Sequence, residues 1–115
     1  MGLLCLSSCD VDLFGFDSKR IAAGYRLLQT EAIDGCILMP PHGNIGSSVV
    51  ELGWRKPFIL SRAGQDDHWQ VIDTSTKQTL SISEEQRHTD PRYRDIPVYA
   101  AHVAWDRLKH WRRQW

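Results

Sequence analysis

The sequence has no long apolar segment, no excess of charge and few cysteines, and each of these features excludes a class of protein. No stretch approaches the roughly 18 consecutive apolar residues of a membrane-spanning helix. The 14 Lys and Arg residues balance 14 Asp and Glu residues, so no whole-chain field attracts nucleic acid, and no nucleic-acid partner is expected. The three cysteines are not accompanied by a Cys or His pair at ligand spacing, so no metal or other cofactor is expected.

The composition that remains is typical of one small folded domain. A chain of 115 residues buries roughly two thirds of the surface that its unfolded form exposes, which suffices for an ordinary core. Hydrophobic residues make up 42% of the chain, and five Trp residues supply large apolar side chains. Because the apolar content is ordinary and the net charge is zero, a disordered chain is excluded.

The N-terminus carries an apolar run that ends in Leu6-Ser7-Ser8-Cys9. This run resembles the lipobox of bacterial lipoproteins, although it contains no Lys or Arg and few apolar residues. The resemblance implies that Cys9 is acylated and that residues 1–8 are the remnant of a signal segment, which is removed. It also implies a membrane-anchored protein of the bacterial envelope that faces the periplasm. Asp10 is similar to the inner-membrane retention signal of enterobacterial lipoproteins.

A second interpretation of this segment stays open. Residues 1–8 are also compatible with a buried first strand of a cytosolic protein, in which Cys5 and Cys9 are thiols of the core. If Cys9 carries lipid and Cys5 is removed, Cys36 is the remaining thiol and has no partner for an internal disulfide.

The rest of the chain predicts an α+β domain over 24–115, preceded by an acylated tether over 9–23. Residues 10–20 alternate charged and bulky apolar side chains without a clear period, which is typical of a tether. From 24 to 82, β-branched and aromatic runs are separated by turn residues at short intervals, which predicts an antiparallel β-meander of five or six strands. The predicted strands are 25–29, 33–39, 49–54, 58–62, 68–73 and 79–82.

Two helices are predicted after the strands. Ser83 and Gln86 have the spacing of a capping box, and the helix that they begin must end by Asp90, which precedes a proline. A second helix is predicted from near Ala100, because its apolar residues recur at spacings of three and four. This amphipathic helix is expected to pack on one face of the sheet through the stripe Ala101, Ala104, Trp105, Leu108, Trp111 and Trp115.

The predicted C-terminal helix is strongly basic and allows two interpretations. Four cations, Arg107, Lys109, Arg112 and Arg113, stand against the single carboxylate of Asp106. In the first interpretation the cations complement the helix dipole, and Trp111 and Trp115 cover the core. In the second, this end lies on anionic lipid head groups, where basic residues and tryptophans are favoured.

The sequence offers one candidate nucleophile, in a hypothetical dyad of Cys36 and His42 with Asp34 orienting the imidazole. Cys36 lies in an apolar run, where a buried thiol is common. The glycine-rich run 43–48 leads into a strand instead of a helix, which favours a hairpin loop over a phosphate loop. Asp66, Asp67 and His68 are adjacent in the chain and therefore cannot converge on one ion from a strand.

These observations favour a small non-catalytic lipoprotein of the envelope that binds another protein or stabilises an assembly. No set of catalytic side chains converges in the sequence, which supports this hypothesis over an enzyme. One alternative is an immunity lipoprotein that neutralises a toxin through an acidic or aromatic patch. The acidic residues are Asp10, Asp12, Asp17, Glu31 and Asp34. The other alternative is a hydrolase that uses Cys36 and His42.

Overall fold

The computed structural model describes residues 17–30, 35–42, 46–64 and 67–115. Cys9, Asp10, Asp34 and Asp66 therefore lie outside the described residues, as does the whole lipobox-like segment. The described residues form nine strands and two short helices. The strands are β1 Asp17–Ala22, β2 Tyr25–Gln29, β3 Cys36–Met39, β4 Ser47–Val49, β5 Glu51–Arg55, β6 Phe58–Arg62, β7 His68–Asp73, β8 Gln78–Ser83 and β9 Val98–Ala100, and the helices are α1 Glu84–Thr89 and α2 Ala101–Arg107.

The strands form two antiparallel sheets, and the architecture belongs to the α+β class that the sequence predicts. The first sheet has the strand order β1-β2-β3-β4, and the second has the order β8-β7-β6-β5-β9. Strands that are consecutive in sequence are neighbours within each sheet, except that β9 returns to pair with β5. The predicted number of five or six strands is wrong, because the described residues already contain nine, which divide between two sheets.

Three local features account for the difference in strand number. Residues 17–22, expected in the tether, form β1 and pair with β2. The strand predicted over 49–54 bends at Val50, so that β4 belongs to the first sheet and β5 to the second. Such a bend is a known way for one strand to pass between two packed sheets. The third feature is β9, which lies in the segment expected to lead directly into the second helix.

The two sheets and α2 share one hydrophobic core. Leu27 and Val49 of the first sheet pack in the same cluster as Leu52 and Ile59 of the second. The buried face of α2 completes this cluster through Ala101, Ala104 and Trp105, with Leu108 directly after the helix. The shared cluster holds the two sheets together around the bend at Val50.

A second cluster covers the opposite face of the five-stranded sheet. Trp69 and Val71, which the alternation of β7 places on one side, pack there with Leu60, Tyr93 and Ile96. Ile59 and Ile72, at the alternate positions of β6 and β7, point to the shared core instead. Both faces of the central strands β6 and β7 are therefore buried, whereas most of β8 is exposed.

The capping box at the start of α1 is confirmed. The Ser83 hydroxyl accepts from the Gln86 N–H at 3.1 Å, and the Gln86 side chain accepts from the Ser83 N–H at 2.9 Å. The helix ends at Thr89, with Asp90 in an extended conformation before Pro91.

The second helix is shorter than the sequence predicts. It ends at Arg107, where Leu108 adopts an extended backbone and donates its N–H to the carbonyls of Ala104 and Trp105. The stripe from Ala101 to Leu108 is buried as expected, but Trp111 and Trp115 follow the helix and do not lie on it. No helix of the described ranges is long and apolar enough to cross a membrane.

Candidate functional site

The chain after α2 folds into a tight turn that presents Trp111 to solvent. Lys109 and Arg112 form an isolated antiparallel β-bridge, so His110 and Trp111 make the turn between them. The Trp111 side chain is 73% exposed. We refer to residues 109–112 as the C-terminal turn. The turn therefore places one exposed aromatic side chain between two cations, Lys109 and Arg112.

Contacts to β1 hold the C-terminal turn in place. The Nδ1 atom of His110 lies 2.8 Å from the carbonyl oxygen of Ser18, to which it donates. The backbone N–H of Gln114 donates to the carbonyl oxygen of Ile21 at 2.6 Å, and Trp115 packs against the shared core. Because the segment is held on both sides of Trp111, the backbone that carries the exposed indole is fixed to the domain.

Lys19 of β1 joins this region to the end of α2. Its Nζ atom donates to the carbonyl oxygen of Trp105 at 2.9 Å and lies 4.3 Å from the centroid of the Trp105 ring. A cation at the C-terminal end of a helix is favoured by the partial negative charge of the unpaired carbonyls. Lys19 therefore adds a cation from another element to Arg107, which lies in the last turn of the helix.

The structure divides the six residues predicted to contact a membrane surface. Lys109, Trp111 and Arg112 come together in the C-terminal turn. The Arg107 guanidinium stacks on the Tyr99 ring, at 4.4 Å from its centroid. Trp115 is half-buried against the core. The sixth residue, Arg113, turns toward the hairpin of β1 and β2.

Arg113 lines a pocket of about 250 Å³ with two further arginines. Arg20 and Arg26 are direct cross-strand partners on β1 and β2, near the register shift between Arg20 and Ala22. Ala23 and Gly24 form the turn of this hairpin with φ values of 54° and 87°, which suit a two-residue hairpin turn. We refer to Arg20, Arg26 and Arg113 as the arginine pocket.

Like charges meet in the arginine pocket, where Arg20 faces Arg26 across the two strands. Burial lowers the pKa of Arg26 below its usual value, and the neighbouring charge of Arg20 lowers it further. The Nε atom of Arg26 donates to the Ser18 hydroxyl at 2.8 Å. No carboxylate is found among the described residues that line the pocket.

Arg20 and Arg26 were not predicted from the sequence. Residues 9–23 were interpreted as a tether, and a residue in a tether has no cross-strand partner. The available signal was Ala23-Gly24, a short turn between two segments that contain β-branched and aromatic residues. Recognising that turn would have predicted the hairpin and would have placed the two arginines on facing strands.

The structure does not bring Cys36 and His42 together. Cys36 is the first residue of β3 and is only 2% exposed, in the shared core. His42 lies beyond the other end of that strand, so the strand alone separates them by roughly 10 Å. His42 is exposed and lines a separate pocket with Pro40, Pro41 and Lys77. Asp34, the third member of the hypothetical triad, lies outside the described residues.

The other sequence candidates do not form a site in the described part of the chain. Gly46 and Ser47 lead into β4, while residues 43–45 of the glycine-rich run are not described. His68 pairs with Asp67 at 2.9 Å on the surface. Within 17–30, 35–42, 46–64 and 67–115, no three His, Cys, Asp or Glu side chains are grouped closely enough to hold a metal ion.

A second polar cluster lies at the start of α1. Glu84 accepts a hydrogen bond from the Trp69 indole N–H, pairs with Arg87 at 3.0 Å and lies 2.5 Å from the His88 Nε2 atom. Arg87 is 8% exposed and stacks over the Trp69 ring at 4.7 Å. These bonds, the Trp69 bond above all, lower the pKa of Glu84 to about 2. These polar side chains cover the edge of the second hydrophobic cluster.

No protein family, curated protein or solved structure matches this chain.

Proposed function

We propose that this chain is a non-catalytic lipoprotein of the bacterial envelope, held to the membrane through Cys9, and that its C-terminal turn rests on anionic lipid head groups. The observation that carries the proposal is the exposed Trp111 between Lys109 and Arg112 on a turn that is fixed to β1. Tryptophan favours the interface between head groups and acyl chains. Each basic residue near an anionic surface adds about 1 kcal/mol of attraction.

The point at which the chain enters the domain supports this arrangement. β1 begins at Asp17, and the carbonyl oxygen of the next residue, Ser18, bonds to His110 of the C-terminal turn. Residues 9–16 span at most about 29 Å when fully extended. A lipid on Cys9 would therefore hold the C-terminal turn close to the membrane surface. The turn supplies the second, weak membrane signal that a lipid anchor benefits from.

The anchor also determines the compartment of the protein. Acylation of Cys9 would give an envelope protein that faces the periplasm, and Asp10 would keep it at the inner membrane. Binding to another protein in that compartment remains a prediction. The hypothetical hydrolase has no support in the positions of Cys36 and His42, and the acidic residues of the immunity hypothesis are largely outside the described residues.

The anchor is tested by mass spectrometry of the protein expressed from its native gene. We expect a product that begins at Cys9 and carries acyl chains. A product with an intact Met1 and an unmodified Cys9 would place the protein in the cytosol and would contradict the proposal.

Contact with the membrane surface is tested by flotation of the full-length, unlipidated Cys9→Ser protein. Vesicles of phosphatidylglycerol and phosphatidylcholine are compared with vesicles of phosphatidylcholine alone. We expect Arg112→Glu to weaken partitioning onto the anionic vesicles by roughly 2 kcal/mol, a loss of more than tenfold, because it removes one positive charge and adds a negative one. Trp111→Ala should weaken it as well, by removing the interfacial side chain.

The matched control is Lys56→Glu, the same charge change in the exposed turn between β5 and β6. We expect this variant to float like the parent protein. Equal losses for Lys56→Glu and Arg112→Glu would indicate a response to net charge alone, and no loss for Arg112→Glu or Trp111→Ala would exclude the C-terminal turn as the contact.

A further inference from the structure

We propose that the arginine pocket binds the dianion of a phosphate monoester. The pocket brings the side chains of Arg20, Arg26 and Arg113 around one cavity of about 250 Å³. This inference goes beyond the proposed membrane contact, because the pocket is able to bind phosphate in solution whether or not the C-terminal turn touches lipid.

The arrangement of the charges is the first argument. Arg20 and Arg26 stand directly opposite each other on antiparallel strands, and like charges in that position repel. The backbone bond from Gln114 to Ile21 then brings the neighbouring Arg113 to the same place. Three cations thus gather on a chain whose net charge is zero, and an anion would relieve their repulsion.

The missing counter-charge is the second argument. Arg62, Arg87 and Arg92 each have a carboxylate oxygen within 3.0 Å. No ion pair within the described ranges includes a member of the arginine pocket. Arg55, Arg107 and Arg112 also have no ion pair among the described residues. The pocket differs from them because three arginines without a carboxylate partner line one cavity.

The geometry of the guanidinium groups indicates the class of ligand. The bond from the Nε atom of Arg26 to the Ser18 hydroxyl fixes the plane of that guanidinium, and its terminal nitrogens remain to donate. Guanidinium groups match the oxygens of phosphate in a bidentate manner. A phosphate monoester carries close to two negative charges at neutral pH, which three arginines balance better than they would balance a single carboxylate or a phosphodiester.

A phosphate monoester could come from a soluble metabolite or from a lipid head group such as that of phosphatidic acid. The volume of the pocket suits the phosphate and a few further atoms, and Tyr25 lines it as an additional polar side chain. Arg113 of the pocket directly follows Arg112 of the C-terminal turn in the chain. Titration with soluble phosphates and flotation on vesicles distinguish the two sources.

The first arm of the experiment measures binding in solution. The full-length Cys9→Ser protein is titrated with inorganic phosphate and with glycerol 3-phosphate by isothermal titration calorimetry, at a pH where both are dianions. We expect saturable binding that Arg20→Gln and Arg113→Gln each weaken at least tenfold. Arg55→Gln, at the exposed end of β5, is the matched control and should bind like the parent protein.

The thermal stability of Arg20→Gln distinguishes a binding role of Arg20 from a purely structural one. Arg20 is exposed and its side chain makes no hydrogen bond in the described part of the chain, so Arg20→Gln removes the repulsion of Arg26 without leaving a buried gap. We expect Arg20→Gln to raise the melting temperature of the ligand-free protein by about 1–5 °C while it weakens phosphate binding. The raised melting temperature also shows that the variant is folded.

The second arm compares vesicles that contain phosphatidic acid, a monoester, with vesicles that contain phosphatidylglycerol, a diester. If the ligand is a lipid head group, Arg20→Gln lowers flotation on phosphatidic acid and leaves flotation on phosphatidylglycerol unchanged. Binding of soluble phosphate without a preference for phosphatidic acid supports a soluble phosphate ester. If neither phosphate, glycerol 3-phosphate nor phosphatidic acid responds to Arg20→Gln, the proposal is overturned, whatever the effect of Trp111→Ala on membrane contact.

Discussion

Trp69 and Arg87 illustrate how single polar atoms are accommodated at the edge of the second hydrophobic cluster. The Trp69 ring is buried, and its indole N–H finds an acceptor in Glu84. The same carboxylate pairs with Arg87, whose guanidinium covers the ring. The Nε atom of Arg87 is buried and has no hydrogen-bond partner among the described residues. Glu84 therefore supplies a hydrogen-bond acceptor to both side chains.

The low pKa of Glu84 predicts a stability that depends on pH. The folded protein holds this pKa at about 2, against an ordinary value of 4.5. A carboxyl whose pKa is lowered by folding stabilises the folded state when it is ionised in both states, so its contribution is complete above about pH 4.5 and is lost as the pH falls toward 2. We expect the melting temperature of the parent protein to fall over this range, and that of Glu84→Gln to fall less.

The control for this prediction is Glu85→Gln, the neighbouring residue in the first turn of α1. Both substitutions remove one carboxylate near the helix N-terminus and have the same effect on the helix dipole. Because the Glu84 side chain is 48% exposed, solvent screens its ion pairs and its effect should be modest at neutral pH. If the two variants have the same dependence on pH between 2 and 4.5, the bonds to Trp69 and Arg87 do not shift the titration of Glu84.

Residue positions in the core were predictable from the sequence where a regular pattern decided them. The alternation of β7 predicted Trp69 and Val71 on one face, and both are buried in one cluster. The pattern gave no indication that Arg87 would be buried, because a charged residue in the last turn of a short helix is usually solvated. The buried position of Arg87 depends on its contact with the ring of Trp69, which lies 18 residues earlier in the chain.

Gly53 determines how closely β9 can approach β5. A Cβ atom at this position would lie 2.5 Å from the Pro97 carbonyl oxygen and 2.6 Å from a methyl group of Val98. Both contacts are closer than van der Waals distance, and the first one involves backbone. We predict that Gly53→Ala lowers the free energy of unfolding by about 1–3 kcal/mol, as measured by urea denaturation, because β9 has to move away from β5.

The matched control is Gly64→Ala, in the loop after β6. A Cβ atom there would meet only one methyl group of Val50, at 3.1 Å, so we expect a change of less than about 1 kcal/mol. If both variants lose the same stability, the effect follows from the alanine itself and not from the contact between β5 and β9.

The elements that the sequence predicts well are those whose signals are local. Strands β6, β7 and β8 and helix α1 are bounded by turn residues, prolines or a capping box, and each was predicted within about two residues of its position. The bend at Val50 has no local signal in the sequence. A strand that passes from one sheet to another is apolar on both sides of the bend, so its pattern resembles that of one continuous strand. Its cause is the packing of the two sheets on a shared core.

The end of α2 shows how tertiary contacts override a periodic pattern. Trp105, Leu108, Trp111 and Trp115 continue a helical spacing in the sequence, yet the helix ends at Arg107. Lys19 binds the carbonyl of Trp105, and the edge of β1 offers a carbonyl to Gln114. Neither partner is adjacent in the sequence, so the C-terminal turn and the arginine pocket could not be derived from the spacing of apolar residues.

At the scale of the whole molecule, the shared core predicts that the two sheets unfold together. Leu27 and Val49 from one sheet and Leu52 and Ile59 from the other lie in one cluster with Trp105. Neither sheet buries this face without the other, and small single domains of this kind usually unfold in one cooperative step. Cys36 reports on the first sheet because its thiol is buried in the shared core.

We therefore predict that Ile82→Ala, in the second cluster and on the far face of the second sheet, exposes the Cys36 thiol of the first sheet at a lower urea concentration. Truncating a buried Ile costs about 2–5 kcal/mol. The measurement uses the full-length protein with Cys5→Ser and Cys9→Ser, so that Cys36 is the one thiol that a labelling reagent can modify. Circular dichroism and tryptophan fluorescence follow the secondary structure and the Trp environments under the same conditions.

The three probes should give one unfolding midpoint in the parent protein, and Ile82→Ala should shift all three by the same amount. Ile82 is not part of the shared core. Its substitution can therefore change the exposure of Cys36 only if the two sheets unfold together. Thr79→Ala, at an exposed position of the same strand, is the control and should leave the free energy of unfolding within about 0.5 kcal/mol of that of the parent. If the thiol becomes reactive at its own midpoint, unchanged by Ile82→Ala, the two sheets are separate folding units and the contacts of the shared core do not couple them.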